Sequence, residues 1–132
     1  MDFFDALVRY ETDLWNHLDR CLAEAGQVSL ATLEGLRVIA RHNGSARVME
    51  LQDELRITVG AASKHVDRLE RDGLAMRHPN PDDRRSSLLA LTEEGRKRHD
   101  SGMRVLEQHV PSDPSGLTEV LRRMTNELGV LA

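Results

Sequence analysis

Residues 49–96 decide the fold, and they read MELQDELRITVGAASKHVDRLERDGLAMRHPNPDDRRSSLLALTEEGR. The spacing of apolar residues predicts a short helix over residues 49–55 and a longer one over residues 59–72. Between them only residues 56–57 are left to form a turn. Thr58 is a favourable N-cap for the second helix, because its hydroxyl can accept a hydrogen bond from a free backbone N–H. The pattern therefore predicts two helices joined by a tight turn.

A β-hairpin is predicted directly after the second helix. Residues 74–77 and 87–91 are candidate strands, and Pro79 and Pro81 are expected to confine the segment between them to a loop. The tip of this hairpin, residues 80–85, reads NPDDRR. A helix-turn-helix followed by an arginine-tipped hairpin is a winged helix, a fold that can place one helix in the major groove of DNA and a basic finger beside it.

The second helix has two chemically different sides. At roughly 100° per residue, Val59, Ala62, Val66 and Leu69 fall on one side and are predicted to face the core. The opposite side begins with small residues, which allow the backbone to approach base edges, and continues with hydrogen-bond donors and cations. The residues predicted to contact DNA from this helix are Thr58, Gly60, Ala61, Ser63, Lys64, His65 and Arg68.

The hairpin tip is predicted to contact DNA as well. The prolines restrict its conformations, so less entropy is lost when it is ordered. Asp83 is expected to hold Arg85 by an ion pair, and a guanidinium at a hairpin tip suits the enhanced negative potential of a narrow minor groove. The predicted wing contacts are Asp83, Arg84, Arg85 and Ser86.

The rest of the chain is predicted to be helical, so the fold class is mainly α with a small β-hairpin wing. Apolar stripes run from Phe4 to Leu22 and from Leu117 to Leu131. A domain of 132 residues need not bury both stripes by itself. We therefore predict one intertwined unit, in which residues 1–28 and 99–132 form dimerisation helices and residues 29–98 form the winged helix-turn-helix DNA-binding domain.

Composition restricts the function only loosely. The net charge of −4 is unusual for a DNA-binding protein, but residues 1–29 carry six Asp and Glu against two Arg, so much of the acid lies away from the predicted DNA face. The chain has no apolar run long enough to span a membrane, and we expect a cytoplasmic protein without membrane contact. No nucleophile–base pattern or phosphate loop is evident, so an enzyme is not expected.

Three segments together resemble the MarR family of bacterial transcription regulators. They are GAASKHVDRLERDGL at residues 60–74, PDDRRS at residues 81–86 and LTEEG at residues 91–95. The wing of that family carries Asp-x-Arg ahead of a Leu-Thr pair, as Asp83 and Arg85 do here. The resemblance covers roughly residues 30–98; the terminal helices agree in helical pattern only.

This resemblance implies a homodimer that binds a pseudo-palindromic operator in double-stranded DNA. It also implies control by a small effector, often aromatic and anionic, in a cleft between the dimerisation helices and the winged helix. The residues expected to line such a cleft are Trp15, His17, Leu18, Leu36 and His42. Repression, relieved by the effector, is the family's commoner mode.

Two alternatives remain open from the sequence. The winged helix could bind another protein and not DNA, which the acidic total charge and Asp67 on the reading face would favour. A redox-sensing regulator would act through Cys21, the only cysteine, although a cysteine on an apolar stripe is usually inert packing. The six histidines form no pair among themselves at helical spacing, so no metal site and no cofactor are predicted.

Overall fold

Six α-helices and one two-stranded hairpin make up the computed structural model, which describes residues 1–129. In chain order the elements are α1 (Phe3–Glu24), α2 (Leu30–Arg41), α3 (Val48–Leu55), α4 (Val59–Arg71), β1 (Ala75–Pro79), β2 (Ser87–Leu91), α5 (Glu93–His109), a 3₁₀ turn (Pro114–Gly116) and α6 (Leu117–Glu127). The strands are antiparallel, with Ala75 opposite Leu91 and Pro79 opposite Ser87. The predicted fold class is confirmed; Leu131, at the end of the predicted apolar stripe, lies outside the described residues.

Local capping signals set where three helices begin. The hydroxyl oxygens of Ser29, Thr58 and Thr92 accept hydrogen bonds from backbone N–H groups in the first turns of α2, α4 and α5. The turn between α3 and α4 depends on Arg56, which adopts the left-handed conformation at φ 56°. These signals are local, and the cap at Thr58 was predicted from the sequence.

The core of the winged helix lies between α2, α3, α4 and the hairpin. Its largest fully buried side chains are Leu36, Val38, Ile39, Leu51, Val66, Leu69 and Leu89. Ahead of α3, which begins at Val48, Ala46 forms a single isolated bridge with Leu89. The first strand of the hairpin, predicted over residues 74–77, runs from Ala75 to Pro79, and Pro79 lies at its end, where no further ladder hydrogen bond is needed. The segment between Pro79 and Pro81 lies outside both strands, as predicted.

A second apolar cluster joins α1 to α2 and α5. Leu18, Leu22, Leu30, Leu33 and Leu106 form it. The N-terminal half of α1 is not covered by this cluster, and α6 has no buried residue in the described part of the chain. Large apolar side chains are therefore exposed on both helices and just beyond α6: Phe3, Phe4, Leu7, Val8, Tyr10, Leu117, Leu121 and Leu128. None of the helices within residues 1–129 is long and apolar enough to cross a membrane.

Candidate nucleic-acid interface

Helix α4 packs one side into the core and exposes the other. Ala62, Val66 and Leu69 are buried, as the periodicity predicted. Val59 was also predicted to face inward, but its side chain is 61% exposed. It is the first residue of α4, one turn ahead of the part of the helix that meets the core.

The outer side of α4 presents most of the residues predicted to meet DNA. Gly60, Ala61, Lys64 and Arg68 are exposed, and Ser63 is half-buried. A methyl group added at Gly60 would meet no atom within 4 Å, so this part of the helix is open to a close approach. Thr58 serves as the N-cap, with its hydroxyl oxygen accepting from the Ala61 N–H at 3.1 Å.

His65 is oriented differently from the other predicted contacts. It is half-buried against α2, where a Cβ added at Gly35 would lie 2.2 Å from its Nε2 atom. That Nε2 atom is buried and has no hydrogen-bond partner among the described residues. Burial lowers the pKa of His65, and the positive charge of Arg68 lowers it further. The structure therefore places the imidazole in the junction between α2 and α4, not on the reading side of the helix.

Arg77 of β1 neutralises acidic groups on α4. Its guanidinium donates hydrogen bonds to Asp67 Oδ1 and Glu70 Oε1, each at 2.7 Å. The hydrogen bond to Asp67 raises the pKa of Arg77, and the charge of Glu70 adds to this effect. The sequence alone suggested that Asp67, on the reading face, would repel DNA phosphates. The ion pair with Arg77 reduces this repulsion.

Arg77 could not be singled out from the sequence as a functional residue. It lies seven and ten residues from its two partners but on a different element, β1, so helical spacing does not predict these contacts. They depend on the chain reversal after α4, where Gly73 has φ +74°.

Short polar hydrogen bonds shape the hairpin tip. Asn80 Oδ1 accepts from the Asp82 N–H at 3.0 Å, and Asn80 Nδ2 donates to Ser86 Oγ at 3.1 Å. Asp83 Oδ1 accepts from the backbone N–H of Arg85 at 2.9 Å. The predicted ion pair between Asp83 and the Arg85 guanidinium is not formed; the carboxylate accepts a hydrogen bond from the Arg85 backbone N–H instead. Asp83 therefore fixes the turn and leaves the guanidinium free to project.

Four cations on α4 and the wing remain available to a ligand. Within residues 1–129, no carboxylate oxygen lies within 4.0 Å of the charged groups of Lys64, Arg68, Arg84 and Arg85. All four side chains are exposed. The acidic total charge of the chain is thus compatible with a locally basic surface on these two elements.

A groove of about 500 Å³ lies beside α4. The predicted cleft residue Trp15 contributes to its wall, together with Leu55, Ile57, Lys64 and Arg68. Two acids also line it, but each has a partner: Glu34 accepts from Arg37 at 2.7 Å, and Glu54 accepts from Arg41 at 3.0 Å. The groove therefore combines an apolar wall with two cations that have no carboxylate beside them.

The other predicted cleft residues lie elsewhere. Leu36 is completely buried in the core, and Leu18 is buried below a smaller, neighbouring cavity. His42 is at the C-terminal end of α2, where its Nε2 atom lies 2.5 Å from Glu54 Oε2. His17 lies beside Cys21, with its Nε2 atom 3.8 Å from the sulfur. Of the five residues that the family resemblance implied for the cleft, Trp15 lines the groove beside α4, and the resemblance could not show how deeply the others are buried.

Glu54 is a charged group within the groove wall. Burial alone would raise the pKa of its carboxyl, but the hydrogen bonds with His42 and Arg41 outweigh that effect and lower the pKa. The carboxylate stays ionised and is engaged by groups outside the groove. Of the charged groups in the groove wall, Lys64 and Arg68 are therefore the two that have no carboxylate partner among the described residues.

Comparisons with known proteins agree with this geometry. A family model described as "MarR family" matches residues 27–86. A curated relative, the uncharacterized HTH-type transcriptional regulator YdgJ of Bacillus subtilis (strain 168), is 28% identical over 109 residues, which are 76% of this chain and 66% of that protein.

Solved structures show the same fold along nearly the whole chain. CouR from Rhodococcus jostii RHA1, bound to p-coumaroyl-CoA, superposes with a TM-score of 0.81 at 20% identity, covering 99% of this chain and 94% of that one. CouR bound to a 23-mer DNA duplex gives 0.74 at 26% identity, covering 96% and 86%. A mutant MarR from E. coli complexed with operator DNA gives 0.69 at 22% identity, covering 97% and 99%. The wing motif, the exposed basic side of α4, the family model over residues 27–86 and the overall fold therefore all match the MarR family of transcription regulators.

Proposed function

We propose that two copies of this chain bind one operator in double-stranded DNA and regulate transcription from it. In each copy α4 lies in the major groove and the tip of the hairpin enters the adjacent minor groove. The observation that carries this proposal is the set of four exposed cations without carboxylate partners among the described residues, Lys64, Arg68, Arg84 and Arg85. Two of the similar solved structures, CouR and MarR, contain DNA, which supports the same use of the fold here. Binding to DNA implies a protein of the bacterial cytoplasm.

The homodimer is supported by exposed apolar surface. The side chains of Phe4 and Leu128 are 70% and 75% exposed, and α6 buries none of its described residues within its own chain. A concentration of exposed large apolar side chains on two helices favours an association site. A two-fold dimer places its reading helices about one turn of DNA apart, so the operator would be pseudo-palindromic.

We propose the groove beside α4 as the site of a small aromatic anion. Trp15 offers an aromatic wall, and Lys64 and Arg68 offer positive charge at the same groove. Because these two cations are also proposed DNA contacts, an anion that engages them withdraws them from the phosphates and base edges. The proposed outcome is release of the operator, and therefore a repressor that is relieved by its ligand. CouR, one of the similar proteins, was solved with p-coumaroyl-CoA.

A winged helix that binds a protein partner instead of DNA has less support. That alternative drew on the acidic total charge and on Asp67, but the Arg77 guanidinium pairs with this carboxylate and four exposed cations on α4 and the wing have no carboxylate partner among the described residues. Redox sensing through Cys21 also has less support, because the chain has a single cysteine, and therefore no second thiol with which to form an intrachain disulfide.

The proposal is tested by selecting duplexes from a random library and measuring affinity for the selected operator and for operators mutated at single base pairs. Lys64→Ala should weaken binding at one or two base positions, since it removes a side chain that reaches base edges. Arg68→Ala should weaken binding to every operator alike and lower the slope of log affinity against log salt by about one for each phosphate that is no longer neutralised. If no duplex is enriched, or if both variants bind as the parent does, the assignment of α4 as the reading helix is wrong.

A further inference from the structure

Two histidines and the only cysteine meet where α1 approaches the end of α5. His17 and Cys21 are four residues apart, so they lie on one face of α1, and the Cys21 sulfur is 3.8 Å from His17 Nε2. His109 is the last residue of α5, and its ring lies edge-on to His17 with centroids 6.1 Å apart and an angle of 79° between the planes. One potential ligand atom from each of the three residues lies within 4.8 Å of the other two.

The backbone beneath this cluster is held by the second apolar cluster. Leu18 and Leu22 directly follow His17 and Cys21, and Leu106 lies one helical turn before His109; all three leucines are buried together. Because α1 and α5 are packed against each other here, the three ligand-bearing positions have a fixed separation. Two of the three side chains, His17 and His109, are exposed and can adjust by rotation.

The distance between the Cys21 sulfur and His17 Nε2 suits a tetrahedral or trigonal metal ion, and rotation of the exposed His109 side chain can bring its ring nitrogen to the same ion. Zinc lies about 2.3 Å from a thiolate sulfur and about 2.0–2.1 Å from an imidazole nitrogen. For tetrahedral to trigonal angles these bond lengths require sulfur and nitrogen to be roughly 3.6–3.8 Å apart. The separation of 3.8 Å between Cys21 and His17 already satisfies this requirement.

The donor set selects the kind of ion. Magnesium and calcium require oxygen ligands, whereas two imidazoles and a thiolate suit zinc. Among the described residues the cluster contains no carboxylate. We propose that His17, Cys21 and His109 form a zinc site with three protein ligands and a fourth position open to water or another small ligand. On binding, the thiol gives its proton to solvent and the thiolate sulfur bonds to the ion.

An ion at this site would link two parts of the chain. It would cross-link α1 to the last turn of α5, next to the segment that leads into α6. The site is separate from the groove beside α4, since none of its three residues lines that groove. Its existence can therefore be tested without any DNA.

The test uses Co²⁺ as a spectroscopic probe and Zn²⁺ as the competitor, added to the reduced full-length chain. One equivalent of Co²⁺ should produce a near-ultraviolet sulfur-to-cobalt band and visible bands of a four-coordinate ion, and Zn²⁺ should abolish both. Cys21→Ser should lose the sulfur band. His17→Gln and His109→Gln should each weaken Zn²⁺ binding at least tenfold in competition with a chelating dye. Since both imidazoles are exposed, these variants are expected to fold, which circular dichroism checks.

His78→Gln is the matched control, because His78 lies on β1, far along the chain from the cluster; its Zn²⁺ affinity should equal that of the parent. Zn²⁺ should also raise the midpoint of thermal unfolding of the parent and of the control, but not of Cys21→Ser. The proposal is overturned if the parent gives no sulfur-to-cobalt band. It is equally overturned if either histidine variant binds Zn²⁺ as tightly as the parent.

Discussion

Replacing Arg85 by alanine should abolish tight operator binding and leave the fold intact. The side chain is exposed, and no carboxylate within residues 1–129 lies within 4.0 Å of its charged group. Its backbone N–H, not its guanidinium, is what Asp83 holds. Surface substitutions of this kind usually change the free energy of unfolding by less than about 0.5 kcal/mol.

The expected loss of affinity follows from the charge and the symmetry. A hydrogen bond from a charged group contributes about 1.5–3 kcal/mol. A dimer on one operator loses this contribution twice, so the affinity should fall by roughly two to four orders of magnitude. The slope of log affinity against log salt should decrease by about two, because two guanidinium groups no longer displace counterions.

Fluorescence anisotropy with a labelled operator, repeated at several salt concentrations, measures both quantities. Arg85→Lys should fall between the parent and Arg85→Ala, because it keeps the charge and loses the planar fork. Arg104→Ala is the matched control, since Arg104 is an exposed arginine on α5 whose side chain bonds to Ser101. Unchanged affinity of Arg85→Ala for the selected operator would refute the role assigned to the wing.

Three further predictions concern the support of the reading helix. Arg77→Met should weaken operator binding about two- to tenfold, because two carboxylates on α4 lose their cation; anisotropy measures this, and unchanged binding would contradict it. Gly95→Ala should lower the free energy of unfolding by about 1–3 kcal/mol, since the added carbon would lie 1.8 Å from the Leu74 carbonyl oxygen. Urea denaturation tests this against Gly60→Ala, which meets open space and should not destabilise the chain. The pKa of His65 is lower in the folded chain than in the unfolded chain, so the free energy of unfolding should decrease as the pH falls below 6.5. His65→Gln should make this decrease smaller. An identical dependence of unfolding free energy on pH in the parent and the variant would contradict the buried position of the imidazole.

Features encoded by neighbouring residues could be predicted from the sequence. The N-caps at Ser29, Thr58 and Thr92 each depend on a side chain and a backbone group three residues later. The inward side of α4 follows from the helical period. The hairpin follows from its turn residues, although the backbone at Pro79 stays in the strand for longer than the proline suggested.

Features that join distant parts of the chain could not be predicted. Arg77 meets Asp67 and Glu70 only because β1 folds back along α4, and the orientation of His65 depends on a glycine thirty residues earlier in α2. His17 and Cys21 are four residues apart, a helical spacing that the sequence contains, but this pair combines a histidine with a cysteine and no two histidines have such a spacing. His109 joins them only through the packing of α1 on α5. The degree of burial of each residue could not be predicted either. Leu36 was expected to line a cleft, but its side chain is completely buried in the core.

The proposal that two chains bind one DNA duplex is tested most directly by measuring the molar mass of the complex with the selected operator. Light scattering coupled to size-exclusion chromatography, in dilute buffer, gives this mass without any label. We expect two chains of 14.9 kDa on one duplex, and a dimer when DNA is absent. A single chain on the duplex, or no complex with any duplex at low salt, would contradict the proposed mode of binding.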